Sequence, residues 1–185
     1  MYIVFDDTVK FYYISTGEKT MKKVAIIMGS DSDLPVLKPA FRTLEKFGIE
    51  YTVKVLSAHR TPDQAADFSK NAKANGYACL ICAAGKAAHL AGVMAAHTAL
   101  PVIGIPVKSS TMDGLDSLLS TVQMPKGVPV ATVAIDGSEN AALLAVQMMA
   151  ISDEELYSKF VEYKEKMASD ILEKDAKIQA LAEEK

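Results

Sequence analysis

Val24-Ala-Ile-Ile-Met28 runs straight into Gly29-Ser-Asp-Ser-Asp33, and a helical pattern from Leu34 to Phe47 follows. Five consecutive apolar residues make a strand that is buried on both faces. The helix has Pro35 near its start and Gly48 just past its end, the asymmetry expected of helix termini. This strand, loop and helix recur outward along the chain. Val53-Lys-Val-Leu56 is a shorter and more mixed strand. Ala78-Cys-Leu-Ile-Cys-Ala83, Pro101-Val-Ile-Gly-Ile-Pro106 and Val128-Pro-Val-Ala-Thr-Val-Ala-Ile135 follow. Between them, Pro62 to Asn75 reads as a helix that starts after Thr61, a good N-cap, and stops at Gly76. Strands and helices in alternation predict a three-layer α/β domain, a doubly wound parallel sheet covered on both sides. After Gly137 the chain turns helical, first over Ser138 to Ile151 and then from Asp153 to the end. In that last segment Leu156, Phe160, Tyr163 and Met167 recur every three to four residues. Such a helix packs on its own domain or reaches a neighbouring copy.

The 185 residues suit one domain, read as residues 21–185. Residues 1–20 differ from the rest and hold five of the thirteen aromatics. Met21 is read as the natural start and the first twenty residues as an extension without chemistry; an extra edge strand or hairpin is the alternative. Half the residues are hydrophobic and 23% are charged, the balance of a folded core. The net charge of -3 argues against a nucleic-acid binder, which needs a basic surplus. From Asp153 onward ten acids stand against six bases, so the acidity is concentrated in the tail. No apolar run reaches the roughly 18 residues of a membrane span, and no secretory signal is visible. Two cysteines and no disulfide framework fit a reducing, cytoplasmic setting.

In open α/β sheets ligands bind at the carboxyl ends of the strands. Gly29-Ser-Asp-Ser-Asp33 offers amides and hydroxyls ahead of a helix N-terminus, which suits a phosphate, while its aspartates suit a ribose hydroxyl. An N-capping turn explains the same residues equally well. Ser57-Ala-His-Arg-Thr-Pro62 puts a hydroxyl, an imidazole and a guanidinium within four residues at the same end of the sheet. Arg60 can grip a phosphate with paired hydrogen bonds. An imidazole such as that of His59 is suited to moving a proton near neutral pH. Ala84-Gly-Lys-Ala-Ala-His-Leu-Ala-Gly92 is a run of small residues opening a helix, where backbone amides can approach a ligand closely. Ser109-Ser-Thr-Met-Asp-Gly114 is a further polar loop that could close the pocket.

Other patterns carry less. Cys79-Leu-Ile-Cys82 lies within a strand, where residues three apart face opposite sides, so buried structural thiols are expected. His89 and His97 lack the carboxylate spacing of a zinc site, and no Gly-x-Ser-x-Gly elbow is present. Met148 and Met149 read as core filler.

Taken in order, these blocks resemble the class I N5-carboxyaminoimidazole ribonucleotide mutases of bacterial purine biosynthesis. The resemblance runs from about Lys23 into the C-terminal helix. It rests on Met28-Gly-Ser-Asp-Ser-Asp33, Ser57-Ala-His-Arg-Thr-Pro62 and Gly85-Lys-Ala-Ala-His-Leu-Ala-Gly92. Downstream it includes Gly104-Ile-Pro-Val, Gly114-Leu-Asp-Ser-Leu-Leu-Ser, Val122-Gln-Met-Pro-Lys-Gly-Val-Pro-Val and Asn140-Ala-Ala-Leu-Leu-Ala. The resemblance implies a flavodoxin-like αβα protomer, a homo-octamer, a ribonucleotide substrate, and no metal or organic cofactor. It implies that Ser30, Ser32, Asp33, Ser57 and Arg60 bind substrate and that His59 is the catalytic acid and base. Gly85, Ala87, Ala88, His89 and Leu90 would border the base. The implied reaction moves a carboxylate from the exocyclic nitrogen of an aminoimidazole ribonucleotide to ring carbon C4.

Two residues depart from the usual Gly-Gly-Ala-Ala-His-Leu-Pro-Gly: Lys86 replaces the second glycine and Ala91 the proline. Lys86 could meet the migrating carboxylate or face solvent, and solvent is the favoured reading. Two other functions compete. One is a class II carboxylase that takes carbon dioxide directly, against which the Ala-Ala-His-Leu block argues. The other is a non-catalytic nucleotide-binding module on the same fold.

Overall fold

The computed structural model describes residues 23–110 and 112–183. Five parallel strands form one sheet in the order β2-β1-β3-β4-β5. They are β1 (Lys23–Met28), β2 (Glu50–Val55), β3 (Tyr77–Gly85), β4 (Val102–Val107) and β5 (Ala131–Thr132). The helices are α1 (Leu34–Phe47), α2 (Pro62–Asn71), α3 (Leu90–His97), α4 (Leu115–Val122), α5 (Ser138–Ala150) and α6 (Glu154–Glu183). This is the flavodoxin-like arrangement, and the strand order reverses around β1 and β3. The proposed extension at residues 1–20 lies outside the described residues. Among the described residues no helix is long and apolar enough to cross a membrane.

The continuous apolar run of β1 now has its physical reason. Val24, Ile26 and Met28 point into a core shared with Leu37 and Leu44 of α1 and Ala141, Ala145 and Val146 of α5. Ala25 and Ile27 point into a second core with Ala65 of α2 and Met94 of α3. Each fully buried isoleucine contributes about 1.5–3 kcal/mol relative to exposure. The cysteines divide in the same way: Cys79 joins the first core and Cys82 the second, both buried and free. Burial pushes the Cys79 thiol up to about 12, and burial together with the neighbouring Cys79 charge pushes the Cys82 thiol higher still.

Gly104 of β4 is where α4 presses closest. A Cβ there would collide with the Thr121 methyl and lie 3.0 Å from Val130 Cγ1. A strand glycine thus brings α4 down onto the sheet.

Several boundaries differ from those expected. β2 begins at Glu50, earlier than the apolar run suggests, because it is an edge strand with a polar, largely exposed exterior. β5 spans only two residues of the long apolar run Val128–Ile135. It pairs with β4 through Ile103↔Ala131 and Gly104↔Thr132, and Pro129, just ahead, has no N–H to offer a ladder. α2 ends at Asn71, and a turn carries the chain to Gly76. Thr61 does not cap α2 with its side chain. Its hydroxyl instead accepts from Ser57 N–H at 2.9 Å and donates to Ser57 O at 3.1 Å, closing the turn that carries His59 and Arg60.

Asp153 receives the Leu156 N–H at 3.1 Å at the start of α6. Leu156 is buried, and Phe160 and Tyr163 meet Phe47 of α1 at centroid distances of 5.9 and 5.7 Å. Past Tyr163 the helix leaves the core, and Met167, Ile171, Leu172, Ile178 and Leu181 are exposed.

Candidate active site

The carboxyl ends of β1, β2, β3 and β4 open into one cavity of about 660 Å³. That volume suits a small-molecule ligand, and its place is the crevice where the strand order reverses.

The β1–α1 loop forms its first wall. Gly29 N–H donates to Ala83 O at 3.1 Å, which anchors the loop to β3. Ser30 and Asp33 then form a reciprocal capping box around a 3-10 turn. Ser32 N–H donates to Ser30 Oγ at 3.4 Å, and Ser30 N–H donates to Asp33 Oδ2 at 3.3 Å. The Ser32 hydroxyl also donates to Ser30 Oγ at 2.9 Å. The capping turn and a hydroxyl-lined wall are therefore the same structure. Burial holds the Asp33 carboxyl above its ordinary value. Bonds from the Ser30 amide and the Ser32 hydroxyl oppose that rise, and the Asp31 charge adds to it.

The turn after β2 supplies the second wall. Ser57 Oγ accepts from Arg60 N–H at 3.1 Å and Nε–H at 3.5 Å. Arg60 Nη2 donates to Gly29 O at 3.0 Å, so the guanidinium ties this turn to the β1–α1 loop. Among the described residues its Nη1 hydrogens have no partner, leaving donors for a ligand.

The third wall is the turn between β3 and α3. His89 N–H donates to Ala87 O at 2.8 Å and its carbonyl accepts from Val93 N–H, so His89 is the N-cap residue of α3. Gly85 approaches β4 closely: a Cβ there would lie 3.4 Å from Val107 O. Lys86 adopts φ +55°, in the left-handed region. It is exposed, as expected, yet it also lines the cavity.

His59 and His89 meet across the cavity, 30 residues apart in sequence. His59 Nε2 lies 2.9 Å from His89 Nδ1, with the rings edge to face at 84°. A bond between two ring nitrogens carries one hydrogen, so one imidazole donates and the other accepts. Each ring keeps its other nitrogen without a partner among the described residues. The pair can thus give a proton to a bound molecule, or take one from it.

Of the residues named from the sequence, Ser30, Ser32, Asp33, Ser57, His59, Arg60, Gly85, Ala87, His89 and Leu90 all line the cavity. Ala88 is buried and does not line it. Val107, Lys108, Ser109 and Ser110 add a fourth wall. Lys108 was not singled out from the sequence, although it directly follows β4, where the strand-end rule points. Its amide donates to Asp136 Oδ1 at 2.9 Å, and its Nζ pairs with Asp113 at 3.2 Å. The Ser109 hydroxyl reaches both Asp116 oxygens, at 3.0 and 3.1 Å, which fixes this wall to α4.

Comparison with known proteins gives a consistent picture. The family model of AIR carboxylase matches residues 23–170. The N5-carboxyaminoimidazole ribonucleotide mutase of Thermotoga maritima is 53% identical over 161 residues, covering 87% of this chain and 94% of that protein. The chloroplastic phosphoribosylaminoimidazole carboxylase of Vigna aconitifolia is 49% identical over 156 residues, which cover 84% of this chain but 28% of that protein. The solved structure of Treponema denticola PurE superposes with a TM-score of 0.77 at 31% identity, covering 84% of this chain and 97% of that one.

Proposed function

This chain belongs to the AIR carboxylase family, and on that basis we propose that it is an N5-carboxyaminoimidazole ribonucleotide mutase of de novo purine biosynthesis. The observation that carries the reading is the His59–His89 pair, set in the same cavity as a hydroxyl- and arginine-lined wall. Near full-length similarity to a protein named as this mutase supports it. The carboxylase named above matches over a minor part of its own length.

The 5′-phosphate lies against Ser30, Ser32, Ser57 and Arg60, whose open Nη1 hydrogens face an anion. Asp33 accepts from a ribose hydroxyl. The heterocycle then sits over the two imidazoles, bordered by Gly85, Ala87, His89 and Leu90.

The chemistry needs one proton to leave and return. His59 donates a proton to the exocyclic nitrogen as its N–C bond breaks, and the electron pair of that bond stays on nitrogen. Carbon dioxide is released beside a ring that is now nucleophilic at C4. C4 attacks the carbon dioxide, forming the C–C bond and a carboxylate. The C4 hydrogen passes to His59 as a proton, which restores the ring's aromaticity and the imidazole's starting state. His89 holds the His59 ring in place through their shared hydrogen. Contacts to the distant phosphate supply positioning rather than chemistry. Carbon dioxide must be recaptured before it escapes, so the reaction requires water and solvent exchange to be restricted at the cavity.

The assembly in this reading is a homo-octamer in the cytoplasm. Exposed apolar residues on α4 (Leu115, Leu119 and Val122) support association. A turnover assay without added bicarbonate tests the reaction. The mutase converts N5-carboxyaminoimidazole ribonucleotide to the C4-carboxylated isomer and leaves aminoimidazole ribonucleotide unchanged. A carboxylase that uses free carbon dioxide would instead require aminoimidazole ribonucleotide with bicarbonate.

A further inference from the structure

Lys86 combines three observations. Its φ of +55° lies where a Cβ crowds the backbone and where glycine is at ease. Strain of this kind persists where the surroundings fix it, and it concentrates at ligand sites. The residue lines the cavity, three positions ahead of His89 on the same turn.

The cations around the cavity are not equivalent. Arg60 is bound to Gly29 O and Ser57 Oγ, which commits it to the hydroxyl-lined wall. Lys108 is paired with Asp113. Among the described residues no carboxylate lies within ion-pair distance of Lys86. The ribonucleotide of the proposed reaction carries two anionic groups, a phosphate and the carboxylate that moves. With the phosphate at the Arg60 wall and the heterocycle at the histidines, Lys86 is the unpaired cation on the histidine side.

We infer that Lys86 is a specificity-determining residue that pairs with the migrating carboxylate in both the nitrogen- and the carbon-linked isomer. The inference rests on the mutase reading. The carboxylate is anionic before and after the transfer, and carbon dioxide is neutral between. An ion pair to Lys86 therefore stabilises substrate and product without stabilising the released gas. Its loss raises KM and does not lower kcat.

The test compares wild type with Lys86→Met, which keeps a Cβ and an aliphatic stem, and with Lys86→Arg, which keeps the charge. Calorimetry measures binding of aminoimidazole ribonucleotide and of its C4-carboxylated form, and steady-state kinetics gives KM and kcat. In Lys86→Met the carboxylated nucleotide binds about tenfold more weakly or worse, and the uncarboxylated one binds as in wild type. KM rises without a fall in kcat, and Lys86→Arg recovers most of the preference. An unchanged preference in Lys86→Met, or an equal loss for both nucleotides, overturns the inference while the mutase reading stands. A wild-type protein that binds neither nucleotide overturns both.

Discussion

Asp33 shows how one residue serves both fold and site. Its carboxylate closes a capping box and faces the cavity, and burial holds its proton affinity above the ordinary value of 3.8. An acid whose folded value is raised costs stability once ionised. That cost is absent below the unfolded value and grows as pH rises through the raised one. Asp33→Asn keeps an acceptor for the Ser30 amide and removes the charge. Urea titrations of both proteins from acid to neutral pH should show the variant gaining stability relative to wild type as pH rises. A difference that does not vary with pH would contradict the assignment.

At this scale the gathering of His59, Arg60 and His89 around one cavity is legible in the sequence, because strand ends in this topology open into the crevice. The pairing of the two histidines is not. The 2.9 Å approach of two rings 30 residues apart depends on β2 and β3 flanking β1. Lys108 was missed because its loop was read only as a possible closing element. Thr61 is the N-cap residue of α2, its carbonyl accepting from Ala65 N–H at 3.1 Å, while its hydroxyl holds the turn beneath Arg60.

Among the elements, β1, α1 and β3 were the most legible, since doubly buried strands and a proline–glycine bounded helix leave little ambiguity. The edges were less so. β5 contributes two ladder positions from an apolar run four times as long: Pro129 has no N–H to donate, and past Thr132 only single bonds reach β4, from Val133 N–H to Gly104 O at 3.1 Å and from Asp136 N–H to Pro106 O at 2.9 Å. Gly104 links element packing to the site, since it seats α4, whose Asp116 fixes Ser109. Gly104→Ala forces Thr121 and Val130 apart and should cost about 1–3 kcal/mol in chemical denaturation. Unchanged stability would mean that α4 moves away freely.

On the scale of the molecule, the exposed apolar residues include Leu115, Leu119 and Val122 on the α4 face and those of α6 beyond Tyr163. The octamer proposed above gives them a partner. Light scattering should report eight protomers for wild type and fewer for Leu119→Asp, which sets a carboxylate in the middle of the α4 face. A monomeric wild type would contradict the assembly. The periodicity of α6 fits both packing at home and reaching a neighbour, and does not say which part does which. The division falls at Tyr163, where the aromatic contacts with Phe47 end.

The central claim is that His59 carries the proton out and back. Replacing it by asparagine keeps a polar group of similar size and removes the ability to exchange a proton. The decisive measurement is isomerisation of N5-carboxyaminoimidazole ribonucleotide by purified His59→Asn, alongside nucleotide binding by the same protein. Binding should persist while turnover falls about 10³-fold or more. Turnover near the wild-type rate would contradict it.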